Sequence, residues 1–324
     1  MTHDYLADPR NADILISVNG DLVPREKAVV SVFDSGFLLG DGVWEGLRVT
    51  NGGIAFLSQH LDRLYAGAKT LDFDVGLDRA GLRARLFACL EANGMNRPEA
   101  DGVHIRLMVT RGLKSTPYQD PRVTIGPATI VIVAEYKTPD PGLLSQGVRL
   151  FTVHQRRTAP DMQDQKLNSH SKLNCILACI QATKAGFDEA LMLDTDGCVA
   201  TCNSTHFFIV RDGEVWTSDG VFCLGGITRG NVLRVARDNG VTARETRFTL
   251  HDVYSADEAF ITGTFAGLIP VVEIDGRTLP RLGDDSDASG PVTRRLRALY
   301  KMLQHDMSET PSSPAGDADV RSPT

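Results

Sequence analysis

Leu224-Gly-Gly-Ile-Thr-Arg229 sets a pair of glycines directly ahead of an expected helix start. The first turn of a helix carries backbone N–H groups without a partner inside the helix, and its dipole is positive there. Glycines leave that end open to an anion, and Thr228 adds a hydroxyl. Further along the chain, Thr262-Gly-Thr264 follows an expected strand and offers a second small, hydroxyl-rich turn. Arg63, on an expected helix after His60, supplies a guanidinium that can close an anion from a third side. Standing singly, such turns and caps are structural more often than not, and none is a Walker or dinucleotide fingerprint.

Periodicity places these features on elements. Residues 14–18 and 43–50 read as strands, the second alternating Val43, Glu45, Leu47, Val49 against Trp44, Gly46, Arg48. A helix is expected from Ser58 as N-cap, and another over 78–93, stopped by Gly94. Residues 103–111 alternate again, leaving His104, Arg106 and Met108 opposite the apolar face, and 128–134 read as a buried strand. The Pro-rich stretch at 138–142 is a stiff connector. The second half holds expected strands at 148–154, 190–194, 198–201, 206–211 and 214–217, with helices over 172–185 and from 228 to Gly240. Strands followed by helices without regular alternation predict an α+β chain. The expected division is a domain over 1–137, a connector over 138–145, a larger domain over 146–306 and a loose tail over 307–324.

Composition excludes several classes. A net charge of −7 offers no basic stripe for nucleic acid or an anionic membrane. No apolar run reaches the roughly 18–20 residues of a bilayer span. The polar opening segment lacks the apolar core of a secretion signal, so the expected compartment is the cytoplasm. The six cysteines lack the paired spacing of a zinc site and are read as thiols, with no metal expected.

Taken together, the blocks Phe33-Asp-x-Gly-Phe-x-x-Gly-Asp-Gly42, Val43-Trp-Glu-Gly-Leu-Arg48, His60-Leu-x-Arg-Leu64, Gly186-Phe-Asp-Glu-Ala-Leu-Met-Leu-Asp194, Gly226-Ile-Thr-Arg229, Thr262-Gly-Thr264 and Pro270-Val-Val-Glu-Ile-Asp-Gly276 resemble class IV aminotransferases. This family includes branched-chain and D-amino-acid aminotransferases, amine transaminases and aminodeoxychorismate lyase. The resemblance covers about residues 14–303 in order. It implies the fold-type IV architecture: a small N-terminal α/β domain, a larger C-terminal domain, and a homodimer with pyridoxal 5'-phosphate in the cleft. It further implies that the cofactor phosphate is held by Arg63, by Gly226, Ile227 and Thr228, and by Thr264.

Two positions depart from the family pattern. Asn168 falls where the family carries the lysine that links covalently to the cofactor. Lys172 stands four residues later, one helical turn away, with a stem long enough to keep its amine on the same side. Lys166 is the other candidate, and loss of the lysine is the third reading. A plain solvated lysine in a first helical turn would meet the positive end of the dipole, an unfavourable place for a cation. Thr201 replaces the family glutamate that pairs with the cofactor ring nitrogen. A threonine hydroxyl bonds a neutral nitrogen but supports a positive ring poorly. His206 stands where an asparagine is common.

The expected activity is transfer of an amino group from a small amino acid or amine to a 2-keto acid. Alternatives are a lyase of the aminodeoxychorismate type and a non-catalytic pyridoxal-phosphate binder. The resemblance places Arg106 at a substrate carboxylate and Trp44 at an apolar pocket wall. Residues 111–123 read as a mobile specificity loop.

Overall fold

The computed structural model describes residues 8–313, apart from 101, 141 and 281. The chain folds as two compact units. One is built from Pro9–Tyr136 and the segment that starts at Met307, the other from Lys137–Asp306.

The first unit holds strands β1 (Leu15–Val18), β2 (Asp21–Pro24), β3 (Gly42–Thr50), β4 (Gly53–Ala55), β5 (Val103–Thr110) and β6 (Thr129–Tyr136), with helices α1 (Leu57–Thr70) and α2 (Arg79–Ala92). Its seven-stranded sheet runs Ser308–Glu309, β4, β3, β5, β6, β1, β2, and every pairing in it is antiparallel. The alternation of β3 is realised: Val43, Glu45, Leu47 and Val49 are buried, while Trp44 and Arg48 lie on the half-exposed face. Asp78 caps α2 by accepting from the Gly81 N–H, as Asp at this position should.

Helix α1 begins differently from its expected serine cap. Phe56 precedes it in the left-handed region at φ 55°, and Ser58 lies inside the first turn. The N–H and the hydroxyl of Ser58 both donate to Glu309 Oε1 at 2.8 Å. Glu309 belongs to the strand Ser308–Glu309, which pairs with β4, and its carboxylate also receives Arg83. Residues 307–313 are therefore ordered structure rather than the loose tail expected from 307 onward. Composition alone hid this, because a single carboxylate docking on a distant helix end leaves no local pattern. The rest of that expected tail lies outside the described residues.

A buried charge cluster joins β3 to α1. Glu45, fully buried, accepts from Arg63 Nε at 2.8 Å and Arg63 Nη2 at 2.6 Å, and its Oε2 lies 2.7 Å from His60 Nδ1. Burial alone would raise the Glu45 pKa, but the Arg63 charge and the bonds from His60 and Arg63 outweigh it and hold the carboxyl below its ordinary value. Burial pushes His60 below its ordinary 6.5 despite the carboxylate beside it.

The second unit holds β7 (Val148–Thr152), β8 (Glu189–Leu193), β9 (Val199–Cys202), β10 (His206–Arg211), β11 (Glu214–Thr217), β12 (Ala243–Glu245), β13 (Glu258–Gly263), β14 (Gly267–Ile274) and β15 (Arg277–Thr278). They form one nine-stranded sheet ordered β12-β11-β10-β13-β14-β7-β8-β9, with β15 on β14. β7 runs parallel to both of its neighbours, and the centre of the sheet is apolar: Leu150, Leu191, Phe207, Ile209, Ile261 and Ile269. The longer helices of the unit are α3 (Leu173–Lys184), α4 (Ile227–Asp238) and α5 (Pro291–Asp306). Helix α3 buries the small Ala178 and Ala182 against Ala190 and Met192. Helix α5 is capped from β13: buried Glu258 accepts from the Val292 N–H at 3.0 Å, the Thr293 N–H at 2.9 Å and the Thr293 hydroxyl at 2.6 Å. Gly290 makes room for it, since a Cβ there would stand 2.2 Å from Glu258 Cδ.

Replacing Glu258 by alanine strips these donors of their acceptor, and a loss of about 2 kcal/mol is expected in denaturant unfolding; an unchanged midpoint would contradict the capping role. The His60 cluster makes the first unit acid-sensitive. Below 6.5 the unfolded chain protonates His60 while the native state, with its lowered pKa, does not, so stability falls as pH falls. Glu45 adds a loss of the same sign below its ordinary 4.5. His60→Asn should flatten the slope of the unfolding midpoint between about pH 7 and about pH 5, and an unaltered slope would refute this account.

Candidate active site

The anion-site reading centres on the start of α4. Gly226 is its N-cap, in extended backbone at φ −69° and ψ 126°. The conformation alone would accept any residue, so the need for glycine is steric. A Cβ at Gly226 would fall 2.2 Å from His206 Cε1. The imidazole lies flush against this backbone, and its Nε2–H donates to the Leu224 carbonyl at 2.7 Å. Thr228 is buried one residue into the helix and receives the Tyr300 hydroxyl at 3.3 Å. Arg229, also buried, ties the helix down through Nη2 to the Ser218 carbonyl at 2.6 Å and to Glu245 at 2.8 Å.

Directly across the sheet from His206 stands Thr262, fully buried, with a hydroxyl that has no hydrogen-bond partner. Burying an unsatisfied hydroxyl costs roughly 1–3 kcal/mol, so such a group calls for an explanation. Thr264 follows in the half-buried turn between β13 and β14. An orphaned hydroxyl, a glycine approached to van der Waals distance and an open helix N-terminus form a donor set suited to an anion such as a phosphate monoester. The sequence placed both threonines in one hydroxyl-rich turn but assigned only Thr264 to the phosphate. Alternation shows which strand residues are buried, not which buried hydroxyl lacks a partner.

Lys172 occupies the N-cap position of α3 and is half-buried. Its Nζ donates to Asn168 Oδ1 at 3.1 Å, and Asn168 is 4% exposed. The amine thus returns to the side chain at the family's lysine position. Lys166 is exposed, with its backbone N–H in a turn on Asp164. Beside the start of α3 lies buried Arg157, which the sequence reading missed. It donates to Asn174 Oδ1 at 3.2 Å, Cys175 Sγ at 3.1 Å and the Phe222 carbonyl at 3.3 Å. The sole sequence signal was an arginine pair in an irregular stretch.

The Thr201 hydroxyl donates to the Thr205 carbonyl at 2.9 Å, an arrangement that leaves its oxygen as an acceptor. The same turn is held by Glu189 Oε1, which accepts from the Ser204 N–H, the Ser204 hydroxyl and the Thr205 hydroxyl at 2.9–3.0 Å. Burial raises the Glu189 pKa against the pull of these bonds.

In the first unit, Arg106 lies over the Trp44 ring at 3.7 Å from its centroid. Gly46, opposite Arg106 in the β3–β5 register, leaves the space: a Cβ there would stand 3.2 Å from His104 and 3.5 Å from Trp44. Burial lowers the Arg106 pKa, with Glu135 and Glu45 acting the other way. The guanidinium of Arg63, expected at a phosphate, is engaged by Glu45. Within 111–123, Arg111 pairs with Asp41 at 2.7 Å, and buried Lys114 reaches the Asp120 carbonyl at 3.1 Å. Among the described residues no cluster of His, Cys, Asp and Glu is arranged to hold a metal ion, and no helix is long and apolar enough to cross a membrane.

The amino-transferase class IV family matches residues 42–274. Branched-chain-amino-acid aminotransferase-like protein 2 of Arabidopsis thaliana is 41% identical over 298 residues, which is 91% of this chain and 51% of that protein. The chain thus spans about half the length of this relative. A putative branched-chain-amino-acid aminotransferase of Methanocaldococcus jannaschii is 40% identical over 89% of this chain and 96% of its own length. Among solved structures, the branched-chain aminotransferase of the thermophilic archaeon Thermoproteus uzoniensis with norvaline superposes with a TM-score of 0.79 at 30% identity, covering 92% of this chain and 96% of that one. The chain belongs to the class IV aminotransferases and has their α+β, fold-type IV architecture.

Proposed function

We propose that this chain is a pyridoxal-phosphate-dependent transaminase in which Lys172 has taken over the covalent lysine's place. The observation that carries this is the Lys172 Nζ to Asn168 Oδ1 bond of 3.1 Å, which brings an amine to the family's lysine position although an amide occupies it. The residues suited to the cofactor phosphate are Gly226, Ile227, Thr228, Thr262 and Thr264. Bound pyridoxal phosphate supplies an aldehyde to carry the amino group and a ring to draw off the electron pair left at the donor's α-carbon. Lys172 Nζ would then serve as the base that takes that carbon's proton and returns it to complete the transfer to a 2-keto acid. Thr201, an acceptor, suits a ring nitrogen that carries a proton, though its neutral oxygen stabilises positive charge less than a carboxylate does.

The substrates in this reading are a small amino donor and a keto acid. Arg106, held flat on Trp44, keeps its N–H edges for a carboxylate, and Trp44 gives an apolar wall. The role that the family pattern gives Arg63 at the phosphate remains a reading of the sequence. We further infer a homodimer in the cytoplasm. Leu173, Ile176, Leu177 and Ile180 form an exposed apolar stripe along α3, and Val32, Phe33 and Phe37 are exposed in the first unit. All six cysteines are free thiols, as a reducing compartment keeps them.

With amino donors added to the protein loaded with pyridoxal phosphate, the cofactor extracted afterwards should be pyridoxamine phosphate. Lys172→Ala should slow that conversion by about 100-fold or more, and Lys166→Ala should leave it within about twofold. Cofactor unchanged with every donor tested would leave a lyase or a binding protein.

A further inference from the structure

We propose that His206 is a positioning residue for the anion-binding turn Leu224–Thr228, a role that rests on reading that turn as the cofactor's phosphate site. Two contacts and a strand register support it. The Nε2–H of His206 holds the Leu224 carbonyl at 2.7 Å, two residues before the helix cap. Its ring fills the space where a Cβ of Gly226 would lie, at 2.2 Å from Cε1 and 2.7 Å from Nδ1. Its strand register sets it directly opposite Thr262, whose buried hydroxyl lacks a partner. One imidazole therefore stands between the two turns that supply the anion's donors.

The arrangement has a physical logic. Backbone N–H groups recognise a phosphate only while the turn that presents them is held in one conformation. A glycine at 226 removes the clash and with it the stiffness a side chain would give. The imidazole restores that stiffness from outside, packing against the bare Cα and fixing the preceding carbonyl. Loss of the ring should free the turn and weaken the hold on the phosphate, while contacts to the rest of the ligand stay as they are.

The test compares two probes, pyridoxal phosphate and pyridoxal; the hemiacetal that free pyridoxal forms is the same for every variant, so the change in their affinity ratio on mutation isolates the hold on the phosphate. His206→Leu keeps bulk and loses the donor, and His206→Gln keeps an N–H that can reach Leu224. For His206→Leu we expect Kd for pyridoxal phosphate to rise about tenfold with pyridoxal within about twofold. His206→Gln should recover most of the ratio. Gly226→Ala should weaken pyridoxal phosphate binding more in the wild type than beside His206→Ala, where the ring no longer meets the new methyl. A His206→Leu ratio equal to the wild-type ratio, or equal losses for Gly226→Ala in both backgrounds, would overturn the proposal. A wild-type protein that binds both probes equally would overturn the phosphate reading and this role with it.

Discussion

A carboxylate taken out of water must find a cation, a set of N–H or O–H donors, or a proton. Three buried glutamates meet that requirement, each in a different way. Glu45 is balanced by Arg63 and by His60, which joins β3 to α1. Glu258 is balanced by the open N-terminus of α5 and so anchors a helix to β13. Glu189 gathers hydroxyls and an N–H from the turn after β9, and burial still raises its pKa. Removing any of them leaves donors stranded at a junction between elements, where the sheet order alone does not hold the chain.

The active-site region follows the opposite rule at Thr262 and at Arg229 Nε. Thr262 keeps a buried hydroxyl without a partner, across from His206 and two residues before Thr264. Polar groups left unsatisfied in a folded chain tend to mark function, because packing would otherwise remove them. The sequence departs from the family pattern at Asn168, Thr201 and His206. Asn168 and Thr201 replace a lysine and a glutamate, and both remain hydrogen-bonded: Asn168 to Lys172, Thr201 to its own turn. Neither substitution leaves a broken bond behind, which is what the proposed re-siting of the lysine requires.

Much of this was legible in the chain because it is local. The alternation of 43–49 marked the buried face of β3, the strands expected at 206–211 and 214–217 form the β10–β11 hairpin, and the glycines before Thr228 marked a helix start. The ordered residues after Met307 were not legible, since Glu309 acts on a helix 251 residues away in sequence. Nor was the proton direction at Thr201, which depends on where the Thr205 carbonyl points. Arg157 and the partner of His206 were hidden for the same reason. Their partners lie on loops distant in sequence, and no spacing rule links Arg157 to Phe222 or His206 to Leu224.

The central claim is that an amine displaced by one helical turn still reaches the cofactor. The most direct measurement is borohydride reduction of the protein in the presence of pyridoxal phosphate, followed by mass-spectrometric mapping of the labelled peptide. The account predicts a pyridoxyl group on Lys172. A label on Lys166, or saturable binding with no label on any lysine, would contradict it.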